Sequence, residues 1–147
     1  MIKITKAGIK ELIVHHYKVF VPKIVEEEVV ADGKKKNCPD AFVVEQNIHN
    51  KAVLVVPTEI KFKKGDEALQ GIYKKTNYDA VATDDARLIK KLKAQNVPFI
   101  LPGLLLYKLL TLRLITRTEA QRGLGSLEEY ISEDEMTTVQ LLMEKIK

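Results

Sequence analysis

A chain of 147 residues, with 46% apolar and 30% charged side chains, has the size and composition of one globular domain covering residues 1–147. Its single cysteine, Cys38, cannot close an internal disulfide and suits a reducing, cytoplasmic setting, and no apolar run approaches the ~20 residues of a membrane span. The net charge of +4, carried mainly by lysines (Lys34, Lys35, Lys36, Lys61, Lys63, Lys64, Lys74, Lys75, Lys90, Lys91 and Lys93), permits a polyanionic partner without specifying one.

Taken in chain order, residues 5–15 have a helical pattern, with Ile9, Leu12 and Ile13 on one face. Residues 18–21 read as a short buried strand. Pro22 suits the first turn of a helix over 22–30, and 32–37 form a polar turn. Asp40 is placed to cap a helix carrying Ala41, Val44 and Ile48. Residues 52–56 are apolar and mostly β-branched, as in a second strand.

Three further units alternate in the same way. Helices fit 65–75 and 84–94, and strands fit 79–83 and 97–101. Strands without polar alternation, separated by helices, predict a mostly parallel central sheet covered on both faces, a three-layer α/β/α arrangement. The C-terminal third is helical, over 103–112, 119–127 and 133–146. Thr116 to Glu119 and Ser132 to Glu135 both have the spacing of a capping box.

In open α/β sheets, ligands sit beyond the carboxyl ends of the strands. Acids cluster after three of these strands. Among Glu26, Glu27 and Glu28, only Glu28 falls on the stripe shared with Ile24 and Val25. Asp66 and Glu67 open the 65–75 helix, where acids also meet the helix dipole favourably; spacing to Leu69 and Tyr73 places Asp66 nearer the apolar face. Asp84 and Asp85 follow the third strand, and one N-cap needs only one of them. Arg87, one turn on, is placed to meet a phosphate. Such a carboxylate set suits a hard divalent cation, Mg²⁺ or Mn²⁺, and hydrolysis of phosphodiesters. His15 and His16 are adjacent rather than at ligand spacing, and neither a phosphate-binding glycine loop nor a nucleophile elbow occurs.

These residues together resemble the PIN (PilT N-terminal) domain family, in an archaeal or bacterial branch. The run from Val19 to Glu28 resembles its strand–Pro–helix segment, Gly65 to Leu69 the segment with the next acid, and Asp79 to Asp85 the strand ending in Thr-x-Asp. The resemblance implies a metal-dependent ribonuclease. Glu28, Asp66 and Asp85 would be its catalytic acids, with Glu67 and Asp84 further ligands of Mg²⁺ or Mn²⁺, and Asp66 and Glu67 alternatives for the middle position. It further implies RNA, single-stranded or structured, as partner and a homodimer; a third reading is a toxin held by a small antitoxin protein. The family opens with an apolar strand ending in an Asp, and here only Lys3, Ile4 and Thr5 stand near that place. Either the start lies upstream by about ten residues, a short strand and its turn, or this member has lost one ligand and its central strand. The second case leads to the alternative reading, a non-catalytic module that binds RNA or protein.

Overall fold

The computed structural model describes residues 1–58, 62 and 64–146. Two of the lysines noted above, Lys61 and Lys63, lie outside the described residues. The first helical pattern is broken in two, α1 (Ile2–Lys6) and α2 (Lys10–His16). The break is at Gly8, whose φ of +71° lies in the left-handed region that only glycine enters without strain. Apolar spacing predicts one helix over 5–15, because Ile9 and Ile13 are buried on the same side whether or not the helix is continuous.

Strand β1 (Phe20–Pro22) leads into α3 (Lys23–Glu26), with Pro22 at the N-cap position rather than inside the helix. From there the chain stays helical through a π turn (Glu27–Ala31) and α4 (Asp32–Lys35). The expected polar turn at 32–37 is therefore mostly helix. Its end is Asn37, at a φ of +53°, a conformation asparagine tolerates better than most residues. Helix α5 (Pro39–His49) starts with proline at its first position, behind Cys38 as N-cap. Asp40 does not cap it; its carboxylate meets Lys6 at 2.5 Å.

The remaining elements are β2 (Leu54–Val56), α6 (Gly65–Lys75), β3 (Val81–Ala82), α7 (Ala86–Ala94), β4 (Phe99–Ile100), α8 (Pro102–Thr111), α9 (Arg117–Leu127) and α10 (Glu133–Glu144). The fold is mixed helix and strand. Its strands form two separate parallel pairs, β1 with β2 (Phe20 opposite Leu54) and β3 with β4 (Val81 opposite Phe99). Among the described residues no ladder joins the pairs into the single sheet expected. Phe20 and Tyr78 nevertheless bring β1 and the lead-in to β3 together, with ring centroids 5.2 Å apart.

Two apolar clusters hold these parts. Ile4, Ile9 and Ile13 from the N-terminal helices pack with Leu106, Leu109, Leu124, Leu127 and Val139 of the C-terminal ones. Val81, Leu88, Leu92 and Val97 form a second cluster between α7 and its strands. Thr116 and Glu119 make a complete capping box. At the other expected box only half is present: Ser132 accepts from the Glu135 amide, but the Glu135 carboxylate turns elsewhere. No helix among the described residues is long and apolar enough to cross a membrane.

Candidate active site at the carboxyl ends of the strands

Asp84 and Asp85 lie just beyond β3 and Glu28 in the helical segment after β1, whereas Asp66 and Glu67 open α6, well past the end of β2 at Val56; Glu28, Asp66, Asp84 and Asp85 each already have a use in the fold. Glu28 is exposed rather than on a buried stripe. The π turn that contains it changes the helical phase, so α-helical spacing from Ile24 does not locate it correctly. Its carboxylate accepts the Gly65 N–H at 3.1 and 3.2 Å, which binds an otherwise orphan donor at the start of α6.

Asp66, one residue on, accepts from Lys91 Nζ at 2.8 Å. Lys91 belongs to α7, so this pair joins the first turn of α6 to the helix that Asp85 begins. The Lys91 ammonium also feels Asp85 and Glu67, and its pKa is raised, first by the hydrogen bond to Asp66. Glu67 is more exposed than Asp66, in line with the preference for Asp66 as the inward-facing acid of the two.

Asp85 is the N-cap of α7. Its Oδ1 accepts from the Arg87 amide at 2.7 Å and the Leu88 amide at 2.9 Å, and those two bonds lower its carboxyl pKa. The Thr83 hydroxyl accepts from the Asp85 amide at 3.1 Å, which fixes the turn. The second aspartate is therefore not needed for capping. Asp84 instead contacts Lys3 of α1. The Arg87 side chain is exposed, near Asp85, with no bonded partner among the described residues.

One acid was missed by sequence reasoning. Glu135 is buried, 7% exposed, and accepts the Gly103 N–H at 2.7 Å near the start of α8. Burial raises its pKa; the Gly103 bond and Lys3 oppose this, while the nearby Asp84 charge adds to it. Its capping-box position accounts for it locally, and nothing in the neighbouring sequence signals that its side chain crosses to another helix.

The rim thus runs from Glu28 through Gly65, Asp66 and Lys91 to Asp85, and from Asp84 through Lys3 towards Glu135. Two ammonium groups, those of Lys91 and Lys3, sit among its carboxylates. An oxygen-only donor set of this kind has the chemistry a hard divalent cation prefers. Among the described residues, however, no three carboxylate, imidazole or thiol groups converge as a bound metal ion requires. A dication would have to draw Asp66 and Asp84 away from Lys91 and Lys3. No family model, curated protein or solved structure matches this chain.

Proposed function

We propose that the chain is a PIN-like domain whose acidic rim serves metal-dependent phosphodiester hydrolysis, with RNA as the substrate class. The observation that carries the reading is that Asp84 and Asp85 directly follow β3, while Lys91, in the helix that Asp85 begins, is near both Asp85 and Asp66 of α6. In an open α/β sheet the ends of the strands are where ligands sit.

In this reading the two strand pairs belong to one mostly parallel sheet in a three-layer arrangement; the contact of Phe20 with Tyr78 supports it. Asp84, Asp85 and Asp66, with Glu67 and Glu28 beside them, are the groups that would hold Mg²⁺ or Mn²⁺. When bound, such an ion supplies an activated water and neutralises charge developing on the phosphate. The chain's own part is to hold the Asp85 carboxylate ionised in advance, through the Leu88 and Arg87 amides of α7. Arg87, exposed and without a bonded partner among the described residues, would bind a phosphate oxygen.

The test is cleavage of a labelled single-stranded RNA with and without Mn²⁺. Asp85→Asn keeps an oxygen for the cap and should abolish metal-dependent cleavage; unchanged cleavage overturns the assignment. The second reading, a non-catalytic RNA- or protein-binding module, is favoured by the internal partners of Glu28, Asp66, Asp84 and Asp85. It predicts salt-sensitive RNA binding with no turnover in any divalent ion.

A further inference from the structure

At the opposite end of α6 and β3 from the acidic rim lies a shallow, open cavity of about 260 Å³, lined by Tyr73, Lys74, Lys75, Thr76, Asn77 and Tyr78. Its electrostatics are the reverse of the rim's. Lys3, Lys23 and Lys91 are paired with Asp84, Glu26 and Asp66. Lys74 and Lys75 are exposed and meet no carboxylate among the described residues. Their place in the last turn of α6 has an ordinary explanation, since the carbonyl end of a helix attracts cations. That explanation does not cover the rest of the cavity.

Two tyrosines border the lysines, and both rings are held in place. Tyr73 packs on the Val81, Leu88, Leu92 and Val97 cluster, and Tyr78 leans on Phe20. The side chains of Thr76 and Asn77 offer a hydroxyl and an amide that no described residue uses. Ammonium groups for phosphates, aromatic rings for bases and polar groups for edges are the elements with which proteins hold single-stranded nucleic acid. The volume is near the small end of ligand pockets, ~300–1,000 Å³, which suits one nucleotide of a longer strand rather than a whole ligand.

We infer that the Tyr73–Tyr78 cavity is a binding site for single-stranded nucleic acid, separate from the acidic rim. It deepens the nuclease reading by giving the strand a second point of attachment, yet stands without it, because its readout is binding alone. Helix α6 and strand β3 set the distance. The 11 residues of α6 put the two ends of the helix about 16 Å apart. A strand held at the cavity and cut at the rim would bridge several nucleotides.

The test is fluorescence anisotropy of a labelled uridine dodecamer on the full chain in metal-free buffer, over a series of salt concentrations. In Lys74→Gln/Lys75→Gln, affinity should fall several-fold, and the slope of log K against log salt should drop by about 1.4, or about 0.7 for each single-strand phosphate no longer neutralised. Lys74→Arg/Lys75→Arg should restore both. Lys90→Gln/Lys93→Gln removes the same charge from α7 and should change little. Equal losses in the two glutamine pairs would reduce the effect to net charge and overturn the site. So would competition by inorganic polyphosphate as effective as by unlabelled dodecamer, since that leaves the tyrosines no part. Binding of the wild type to anionic lipid vesicles that the glutamine pair abolishes, with dodecamer binding intact, would assign the cavity to a membrane and overturn it as well.

Discussion

Glu28 and Gly65 lie 37 residues apart in sequence, yet the carboxylate of one bridges the backbone N–H of the other through both oxygens, at 3.1 and 3.2 Å. This fastens the π-turn segment to the start of α6. A Cβ on residue 65 would come within 2.6 Å of Glu28 Oε2 and 2.9 Å of Val25 Cγ2, so the contact depends on glycine there. Glu28→Ala should lower stability by about 1 kcal/mol, the usual cost of losing an N-terminal helix partner. Gly65→Ala should act in the same direction by displacing the carboxylate. Urea unfolding of the two single variants and the double variant measures this; fully additive losses would show that the two changes act independently.

Two substitutions at Asp85 separate its capping of α7 from its proposed part in cleavage. Asp85→Asn retains a neutral acceptor for the Leu88 and Arg87 amides, whereas Asp85→Ala does not, so the alanine variant should lose several degrees of Tm and the asparagine variant only the part that the charge adds. Both should lose metal-dependent cleavage. The folded pKa of Asp85 is lowered, so its stabilising effect is present above the pKa of the unfolded chain and is lost as pH falls through the folded value. The Tm difference between wild type and Asp85→Ala should therefore shrink in acid. A difference independent of pH would mean that the ionised carboxylate is not what caps the helix.

Glu135 should show the opposite sign. Its folded pKa is raised, chiefly by burial, so the folded state holds its proton more tightly than the unfolded chain does. Its unfavourable contribution develops as pH rises from the unfolded towards the folded pKa, and persists above it. Glu135→Gln keeps an oxygen for Gly103 and removes the buried charge, so it should raise Tm at neutral pH and leave it unchanged in strong acid. Glu135→Leu strands the Gly103 N–H and should lower Tm at both. A Gln variant less stable than wild type at neutral pH would show that the charge is favourable where it sits.

Lys3 and Lys91 compete with any cation for Asp84 and Asp66. Surface pairs of this kind are weak and easily exchanged. Lys3→Met and Lys91→Met should each tighten Mn²⁺ binding in calorimetry, and the double variant more so. Weaker binding in these variants would show that the lysines position the carboxylates rather than block them.

Backbone conformation gives a prediction independent of function. Gly8 has a φ of +71° and open space around a Cβ, so Gly8→Ala meets conformational strain alone and should cost about 1 kcal/mol. Arg113, at a φ of +57°, is a non-glycine residue just past the end of α8. Arg113→Gly should gain roughly 0.5–1 kcal/mol. Thermal unfolding checks both, and a stabilised Gly8→Ala would mean that α1 and α2 tend to merge.

The helices are more legible in the sequence than the sheets, for local reasons. Helix α6 is located by Gly65 and its apolar spacing, and α9 by Thr116 and Glu119, because caps and periodicity lie within one element. The strands shrink to two or three residues because pairing depends on partners elsewhere in the chain, and β-branched runs such as 52–56 report only burial. At the site, acids after strands are recognisable from order alone. That Asp85 spends its oxygen on two amides, and Asp66 on Lys91, depends on side chains brought together by folding. The break at Gly8 is hidden because the apolar spacing of Ile9, Leu12 and Ile13 begins beyond it and says nothing of the residues before.

The π turn at Glu27–Ala31 holds one residue more than α-helical winding would accommodate. Deleting a single residue there would let these bonds return to the α-helical span and leave the phase on either side nearly as it is, because the wider turn has already absorbed the extra residue. Lys34 would keep its contact with Glu45, at 2.5 Å, and Gly33 its close approach to Ala41, where a Cβ would lie at 2.9 Å. A deletion in the α-helical winding outside the turn has no such slack: it would rotate everything beyond by about 100° about the helix axis and carry both contacts off α5. The surplus residue is thus slack in the joint between the part of the helix that carries Glu28 and the part that docks on α5, and the turn should tolerate the loss of one residue where its flanks would not.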